Sequence, residues 1–272
     1  MQERGGPDRQ RSGGDMNSSV ETERLRLNGR QRLTWFAHFF KAFFYQYHRE
    51  FGVQIANLLP ADGVVIDVGA HSGQFAKLFG RLVPQGAVYA FEPSAYALSI
   101  LRPVLRWRGF RNVRVVPFGL SDKKGSEVLN LPMKKSGTVG FGNAHIGAET
   151  RPVAIAQQIG LITLDDFVAR EGLEKVDFIK VDIEGWEVNF LRGALGTIGR
   201  FRPILLLEVM EHTLTRVGAS PGEIFDLLAP LGYRIFRVRE RDGYKMVPVE
   251  GFAGSADYFF IAEAEAPRIA AA

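Results

Sequence analysis

From Pro60 onward the sequence alternates between short apolar runs and segments whose apolar residues recur at helical spacing. Strands are predicted at 64–68, 87–91, 113–118, 176–181, 204–208, 233–238 and 258–262. Helices are predicted at 75–82, 95–108, 164–170 and 187–195, and from Pro221 onward. This alternation is typical of βαβ units, so we expect a doubly wound α/β fold with a mostly parallel sheet of seven strands. The last two strands have no helical pattern between them and are expected to pair antiparallel at the sheet edge.

Composition divides the chain into three parts. Residues 1–31 are polar and carry no apolar stretch of the kind found in secretory signals, so they are predicted to be a disordered tail. Residues 32–59 are predicted to be a helical extension, and residues 60–265 a single α/β domain. Within that domain, residues 121–161 break the alternation with several glycines among short β-like pieces. An insertion of this length near the strand ends is expected to contact the substrate.

An aromatic stripe distinguishes the helical extension, where one amphipathic helix is predicted from 33 to 51. The stripe consists of Phe36, Phe39, Phe40, Phe43, Phe44, Tyr47 and Phe51. Polar residues such as His38, Lys41 and Arg49 interrupt the segment, so a membrane span is excluded. The favoured interpretation is that the stripe packs over the α/β domain. Peripheral contact with a membrane surface, or with a second copy of the chain, is the alternative.

The residue counts exclude several kinds of site. The chain has no cysteine, which excludes disulfides, thiolate zinc sites and cysteine nucleophiles, and fits a cytoplasmic enzyme. It has 34 basic and 30 acidic residues, a mild imbalance that produces a formal charge of +4. The basic residues are not concentrated in one strip of the sequence, so no nucleic-acid partner is expected.

The turn after the first predicted strand is the strongest local signal. It contains Gly69 and Gly73, which are expected to let the backbone approach a ligand closely, and it lies where doubly wound sheets bind ligands. The glycine spacing differs from the dinucleotide fingerprint, and the turn lacks the lysine of a P-loop. Asp67 ends this strand and Glu92 ends the next one. A carboxylate at Glu92 can accept both hydroxyls of a ribose, while Asp67 can orient an ammonium, so the pair suits a nucleoside joined to an amino acid.

A second group of charged residues ends the strand predicted at 176–181. Lys180, Asp182 and Glu184 alternate with apolar neighbours, so all three are expected to point to one side. Buried ionisable groups are costly unless they are paired or used. Lys180 is interpreted either as the partner of Asp182 in a structural ion pair or as a catalytic residue. Asp182 is favoured for function because its strand emerges at the switch point of the sheet.

Three further residues are candidates for the same cleft. Glu208 ends the strand predicted at 204–208, and His212 follows it closely, so both are predicted to face Asp182 across the cleft. For His212 the alternative is an exposed position on a helix. His145 lies in the insertion and is interpreted either as a substrate contact or as a solvated loop residue.

With these residues in view, the chain resembles the FkbM family of S-adenosylmethionine-dependent methyltransferases. The matching pieces are residues 66–73, 91–93, 163–165, 177–187 and 203–208, and the match spans residues 60 to 240. The resemblance implies a Rossmann-like class I methyltransferase fold and methylation of hydroxyl groups on sugars, glycolipids or other small molecules. The cofactor-binding residues expected on this basis are Asp67, Gly69, Ala70, His71, Ser72, Gly73, Phe91, Glu92, Pro93, Ser121, Asp122 and Asp182. His71 stands where the family often has asparagine.

Methylation of a hydroxyl group requires a proton acceptor near the acceptor oxygen. Asp182, Glu208 and His212 are the candidate bases. A divalent metal held by Asp182, Glu184 and Glu208 is an alternative way to acidify the hydroxyl. Two alternative functions are an RNA methyltransferase and a protein that binds S-adenosylmethionine without catalysis. An NAD-dependent oxidoreductase is disfavoured by the glycine spacing.

Overall fold

A computed structural model of the protein describes residues 27–133, 144–146 and 153–263. Its helices are α1 (Gly29–Phe44), α2 (Arg49–Ala56), α3 (Gln74–Leu82), α4 (Ala95–Trp107), α5 (Leu164–Glu171), α6 (Glu187–Arg192), α7 (Leu195–Phe201), α8 (Glu211–Arg216) and α9 (Pro221–Leu228). Its strands are β1 (Val64–Val68), β2 (Ala87–Phe91), β3 (Val113–Val116), β4 (Gly119–Leu120), β5 (Gly125–Pro132), β6 (His145–Ile146), β7 (Val153–Ile162), β8 (Phe178–Val181), β9 (Ile204–Val209), β10 (Tyr233–Arg239), β11 (Lys245–Val249) and β12 (Ala256–Ala262). Most of the predicted tail, residues 1–31, lies outside the described residues.

The main sheet confirms the predicted α/β class. Its strand order is β11-β10-β12-β9-β8-β1-β2-β3. The five strands from β9 to β3 are parallel, and β12, β10 and β11 each pair antiparallel with their neighbours. The chain reverses its direction of travel across the sheet between β1 and β8, so the carboxyl ends of these strands form the switch point where ligands bind in such folds.

Two details of the sheet differ from the prediction. The sheet has eight strands instead of seven, because β11 was not predicted. Its Pro248 cannot donate to a strand ladder, and the strand accordingly lies at the edge. The predicted antiparallel pairing of the last two strands, β10 and β12, is confirmed. However, β12 is inserted between β9 and β10 and is not an edge strand.

Apolar residues on β1 alternate between the two faces of the sheet. Ile66 and Val68 contribute to the core on one face, whereas Val65 packs with α2 and α3 on the other. Asp67 is the register partner of Lys180, so the two side chains share the α3 face of the sheet. This register places an acidic and a basic group next to each other within a buried layer.

The predicted single helix from 33 to 51 is two helices, α1 and α2. They are separated by residues 45–48, and His48 has a left-handed backbone with φ of 59°. Helix α1 packs on α4, while α2 places Phe51 and Ile55 in the core next to α3. The buried ammonium of Lys77 donates to the carbonyl oxygens of Ala42 and Tyr45, which satisfies acceptors at the end of α1. None of the helices in the described ranges has the length and apolar character that a membrane crossing needs.

The predicted insertion, residues 121–161, contributes most of a second sheet in its described part. The strand order is β4-β7-β5-β6, and the long β5–β7 pair is antiparallel. Leu129, Leu131 and Ile159 of this sheet pack in one cluster with residues of α1 and α4. The second sheet therefore stands beside the carboxyl end of the main sheet and forms a wall there.

Candidate functional site

A cavity of about 260 Å³ lies at the carboxyl ends of β1, β2 and β8. The turns that follow these three strands form one side of it. The second sheet forms the opposite side with Leu129, Leu131, Ile146 and Ile159. The cavity therefore combines polar groups from the strand ends with an apolar wall.

Close packing of the chain determines the shape of the turn after β1. The amides of Gly69 and Ala70 both donate to the carbonyl oxygen of Phe91 at 3.0 Å. Gly69 has φ of +78°, and a Cβ atom at this position would lie 1.9 Å from the carbonyl oxygen of Asp182. A Cβ atom at Gly73 would lie 2.6 Å from Leu101. The glycines therefore allow protein segments to approach one another, whereas the sequence prediction assigned them to the approach of a ligand.

Glu92 connects the turns after β1 and β2. Its carboxylate accepts hydrogen bonds from the amides of His71 at 2.7 Å and Ser94 at 2.8 Å. The residue is only 6% exposed but lines the cavity. Burial raises the pKa of Glu92 to about 7, although the two amide hydrogen bonds oppose the shift. A carboxylate offers about four acceptor positions, so Glu92 can accept further donors from a ligand.

Four ionisable side chains form a line across β1, β8 and β9. The ammonium of Lys180 lies 3.8 Å from the carboxylate of Asp67 and 3.3 Å from that of Asp182. Glu208 on β9 lies close enough to Asp182 for the two carboxyl groups to shift each other's pKa. Lys180 also lies 5.1 Å from the centre of the Phe75 ring. Lys180 is thus held in place as the partner of two carboxylates, the structural alternative considered for it above.

Asp67 is on the buried end of this line. It is fully buried, is not among the residues that line the cavity, and has no hydrogen-bond partner for its carboxylate among the described residues. Burial raises its pKa to about 6, and the charge of Lys180 opposes the shift. Asp67 therefore faces Lys180 beneath the turn and does not line the cavity with Glu92, and its contact with a ligand stays a prediction.

Asp182 and Glu208 have opposite protonation behaviour. Burial raises the pKa of Glu208 to about 9, and the negative charge of Asp182 adds to this shift. Burial acts against ionisation of Asp182 as well, but Lys180 and the hydrogen bond from Glu208 lower its pKa overall. At neutral pH Glu208 is thus a protonated donor and Asp182 an anion. Asp182 lines the cavity and its side chain is 39% exposed, so it presents a negative charge to a ligand.

The segment after Asp182 is a turn that Glu187 holds. The carboxylate of Glu187 accepts from the amides of Ile183 and Gly185, both at 3.2 Å. Arg216 donates to the carbonyl oxygen of Glu184 at 2.7 Å, and Glu184 has φ of +56°. Strand β8 ends at Val181, so Glu184 does not continue the predicted alternation of the strand. It nevertheless lines the cavity.

A family model described as the methyltransferase FkbM domain matches residues 67–235, which include every turn described above. The chain belongs to the FkbM methyltransferase family. S-adenosylmethionine is accordingly its cofactor, and the resemblance stated from the sequence motifs is confirmed.

Two relatives match about two thirds of this FkbM methyltransferase. Methyltransferase sdnD of Sordaria araneosa is 28% identical over a 209-residue alignment that covers 68% of this chain and 78% of the relative. The 2-O-methyltransferase NoeI of Sinorhizobium fredii is 30% identical over a 188-residue alignment that covers 64% of this chain and 75% of the relative. A solved FkbM methyltransferase from Methylobacillus flagellatus is 19% identical, with 79% of this chain and 46% of that chain covered and a TM-score of 0.49.

The predicted site residues divide into two groups. Those that line the cavity are Gly69, Ala70, His71, Ser72, Phe91, Glu92, Pro93, Lys180 and Asp182. Those that are not among its lining residues are Asp67, Gly73, Ser121, Asp122, Glu208 and His212. Ser121 is buried and accepts from the indole of Trp186 at 3.1 Å, whereas Asp122 is exposed. His212 is exposed on α8, so it has the helix-surface position considered as its alternative.

The metal alternative requires three carboxylates of this FkbM methyltransferase to converge. Among the described residues no three His, Asp or Glu side chains form a group that could hold a metal ion. The ammonium of Lys180 lies beside Asp182 instead. The ammonium of Lys180 thus already places a positive charge beside Asp182, one of the carboxylates considered as metal ligands.

Several lining residues were not predicted. Tyr96 on α4 and the apolar residues of the second sheet line the cavity of the FkbM methyltransferase. His145, which was a candidate from the sequence, is a buried part of the same wall. His145 is therefore not the solvated loop residue that was one of its two interpretations. Pairing of β5 with β6 brings it there, and no local sequence pattern reports such a pairing.

The ionisation of Glu187, which holds the turn after Asp182, should make the stability of the protein depend on pH. Burial raises its pKa to about 7, above its ordinary value of 4.5. The stability linked to its protonated form is therefore present below pH 4.5 and is lost as the pH rises through about 7. The Glu187→Gln variant cannot ionise. Its free energy of unfolding relative to wild type is expected to increase by up to about 3 kcal/mol between about pH 4.5 and pH 8.

Urea unfolding at a series of pH values measures this difference. The matched control is Glu174→Gln, which changes an exposed glutamate and should leave the difference flat across the same range. A flat difference for Glu187→Gln as well would show that Glu187 does not ionise in a buried position.

Proposed function

We propose that this FkbM methyltransferase transfers a methyl group to a hydroxyl oxygen of a small molecule, sugar or glycolipid. The observation that carries the proposal is the anionic carboxylate of Asp182 on the cavity that Glu92 also lines. The relative NoeI is a 2-O-methyltransferase, which supports oxygen as the acceptor atom. In this proposal residues 60–265 are the methyltransferase domain, and the insertion at 121–161 contacts the acceptor.

Glu92 is the proposed ribose ligand of the cofactor. Its carboxylate is buried, lines the cavity and has acceptor positions beyond those used by the amides of His71 and Ser94. Two ribose hydroxyls are suitable donors for those positions. When bound, S-adenosylmethionine supplies a methyl group on a positively charged sulfur. The residues 69–72, Phe91 and Pro93 are the proposed walls around it.

Asp182 is the proposed proton acceptor. Its lowered pKa keeps it ionised, so it can accept a hydrogen bond from the acceptor hydroxyl and then take its proton as the oxygen is methylated. Glu208 already carries a proton at neutral pH and Lys180 is paired, so neither is the proposed base. Both instead keep Asp182 in its anionic form and hold its position.

The apolar wall of the cavity narrows the acceptor class. Leu129, Leu131, Ile146 and Ile159 offer few hydrogen-bonding groups to a ligand. A hydroxyl compound with an apolar portion, such as a glycolipid, buries that portion here at a gain of about 25 cal/mol per Å².

Replacement of Glu92 by alanine is expected to weaken binding of S-adenosylmethionine by about a hundredfold, because two hydrogen bonds to a charged acceptor are lost. Isothermal titration calorimetry measures the dissociation constant. Glu174→Ala, at an exposed position, is the matched control and should bind as wild type does. Equal affinity in Glu92→Ala and wild type would remove Glu92 from the cofactor site.

The function is tested by transfer from methyl-labelled S-adenosylmethionine to a panel of compounds. The panel contains sugars, glycolipids, hydroxylated natural products and RNA. Product that carries the label on a hydroxyl oxygen of a sugar, glycolipid or natural product supports the proposal. Label on the RNA, on a base or on a ribose hydroxyl, would contradict it in favour of an RNA methyltransferase. Cofactor binding without transfer to any member would favour a non-catalytic protein.

A further inference from the structure

The outward side of α1 carries a stripe of large apolar residues. Leu33, Phe36, Phe40 and Phe44 lie on it at helical spacing, and all four are exposed. Phe40 is 54% and Phe44 is 64% exposed, and their rings stack with centres 5.9 Å apart. The opposite side of α1 is already packed, because Phe39 and Ala42 are buried with α4. The exposed stripe therefore takes no part in the packing of α1 against α4.

Trp107 at the end of α4 adds to this surface. It is 66% exposed, and its ring meets that of Phe39 edge to face with centres 5.5 Å apart. We call these five residues, Leu33, Phe36, Phe40, Phe44 and Trp107, the aromatic face. Scattered exposed apolar residues are common on proteins, but a group of large ones on two packed helices marks an interaction site.

Positive charge accompanies the aromatic face. Helices α1 and α4 contain no acidic residue, whereas Arg32, Lys41, Arg102 and Arg106 on them are exposed. Arg108 follows directly, and its guanidinium lies 5.6 Å from the centre of the Phe43 ring. The exposed cationic groups therefore lie on the same two packed helices as the aromatic face.

Arginine residues outside α1 and α4 add to the positive electrostatic potential near Arg108. The pKa of Arg81 is lowered by burial and by the charges of Arg108 and Arg49. Arg81, Arg108 and Arg49 thus lie close enough to one another for their charges to repel. An anionic partner would relieve the repulsion.

We propose that the aromatic face docks on an anionic lipid surface. A helix with aromatic and apolar residues on one side and arginine or lysine beside them lies in the plane of a membrane interface, where apolar burial and attraction to anionic lipid add together. A second copy of this chain is a poorer occupant, because a symmetric contact would place one arginine-rich surface against another. This inference does not depend on the identity of the acceptor.

A second cavity, also of about 260 Å³, lies beside the central one. It is lined by Lys41 and Ala42 of α1, and it shares Ser72, Gln74 and Tyr96 with the central cavity. The packed side of α1 thus lies close to residues that line the central cavity.

Co-sedimentation of the full chain with vesicles tests the proposal. One set of vesicles contains phosphatidylcholine alone and the other contains phosphatidylcholine with phosphatidylglycerol. Wild type is expected to partition onto the second set at least about tenfold more strongly, with partitioning weakened by salt. The double variant Phe40→Ser with Phe44→Ser should lose at least about tenfold of that partitioning. The control Val128→Ser, at an exposed apolar position on β5, should retain it.

Charge-reversal variants separate the electrostatic contribution to vesicle binding from the apolar contribution. Arg106→Glu should reduce partitioning onto phosphatidylglycerol, whereas Lys245→Glu on the edge strand β11 should not. Light scattering measures the oligomeric state of the same variants. Failure of wild type to bind either vesicle would overturn the proposal, as would unchanged binding in the Phe40 and Phe44 double variant. A dimer that the double variant dissociates, without vesicle binding by wild type, would instead assign the face to self-association.

Discussion

Replacement of Asp182 by asparagine is expected to lower methyl transfer by about 10²–10⁴-fold while S-adenosylmethionine still binds. The asparagine side chain has nearly the same size, but it cannot take the proton of the acceptor hydroxyl. Asp182 is the ionised carboxylate on the cavity, whereas Glu208 is protonated and Lys180 is a cation at neutral pH. Steady-state kinetics with the labelled cofactor measures the loss, and calorimetry measures retained cofactor binding.

Glu208→Gln is the variant to compare with Asp182→Asn. Glutamine still donates a hydrogen bond to Asp182, so its activity at neutral pH should stay near that of wild type. Wild type should lose activity as the pH rises through about 9, where Glu208 ionises beside Asp182, and the glutamine variant should not. A large loss in Glu208→Gln at neutral pH together with full activity in Asp182→Asn would reverse the proposed roles.

Replacement of Gly69 by alanine is expected to destabilise the protein by more than about 3 kcal/mol and to abolish cofactor binding. Two costs add together at this position. The left-handed backbone disfavours any side chain, and the new Cβ would lie 1.9 Å from the carbonyl oxygen of Asp182. The clash is with backbone, so relief requires movement of the turn after β1 or of the segment that carries Asp182.

Gly109→Ala is the matched control for this prediction. Gly109 has a similar φ of +76°, but nothing lies within 4 Å of a Cβ atom there. It should therefore cost only about 1–2 kcal/mol, the cost of the left-handed backbone alone. Equal losses of unfolding free energy in the two variants would show that the approach of Asp182 to Gly69 is not the constraint inferred here.

The sequence was most informative where local pattern and function coincide. Alternating apolar runs predicted the α/β sheet, and the acidic end of the second strand predicted Glu92, which lines the cavity. These features depend on residues close together in the chain. Strand ends of a parallel sheet also meet at one edge, so their polar residues can be grouped without knowledge of the exact register.

Other features depend on contacts that no local pattern reports. Asp67 lies beside Lys180 because β1 and β8 pair in one particular register, and it is not among the residues that line the cavity. The wall of the second sheet depends on the pairing of β5 with β7 across residues far apart in the chain. The break between α1 and α2 depends on a left-handed backbone at His48, a residue without the special preference of glycine for that conformation.

The central claim is that the cavity between Glu92 and Asp182 holds the methyl donor. A crystal structure of the full chain with S-adenosylhomocysteine, the product left after transfer, tests this most directly. We predict ribose hydroxyls within hydrogen-bond distance of the Glu92 carboxylate and the sulfur atom on the side of the cavity that Asp182 lines. A nucleoside bound elsewhere on the protein, with Glu92 and Asp182 free of contact, would contradict the account.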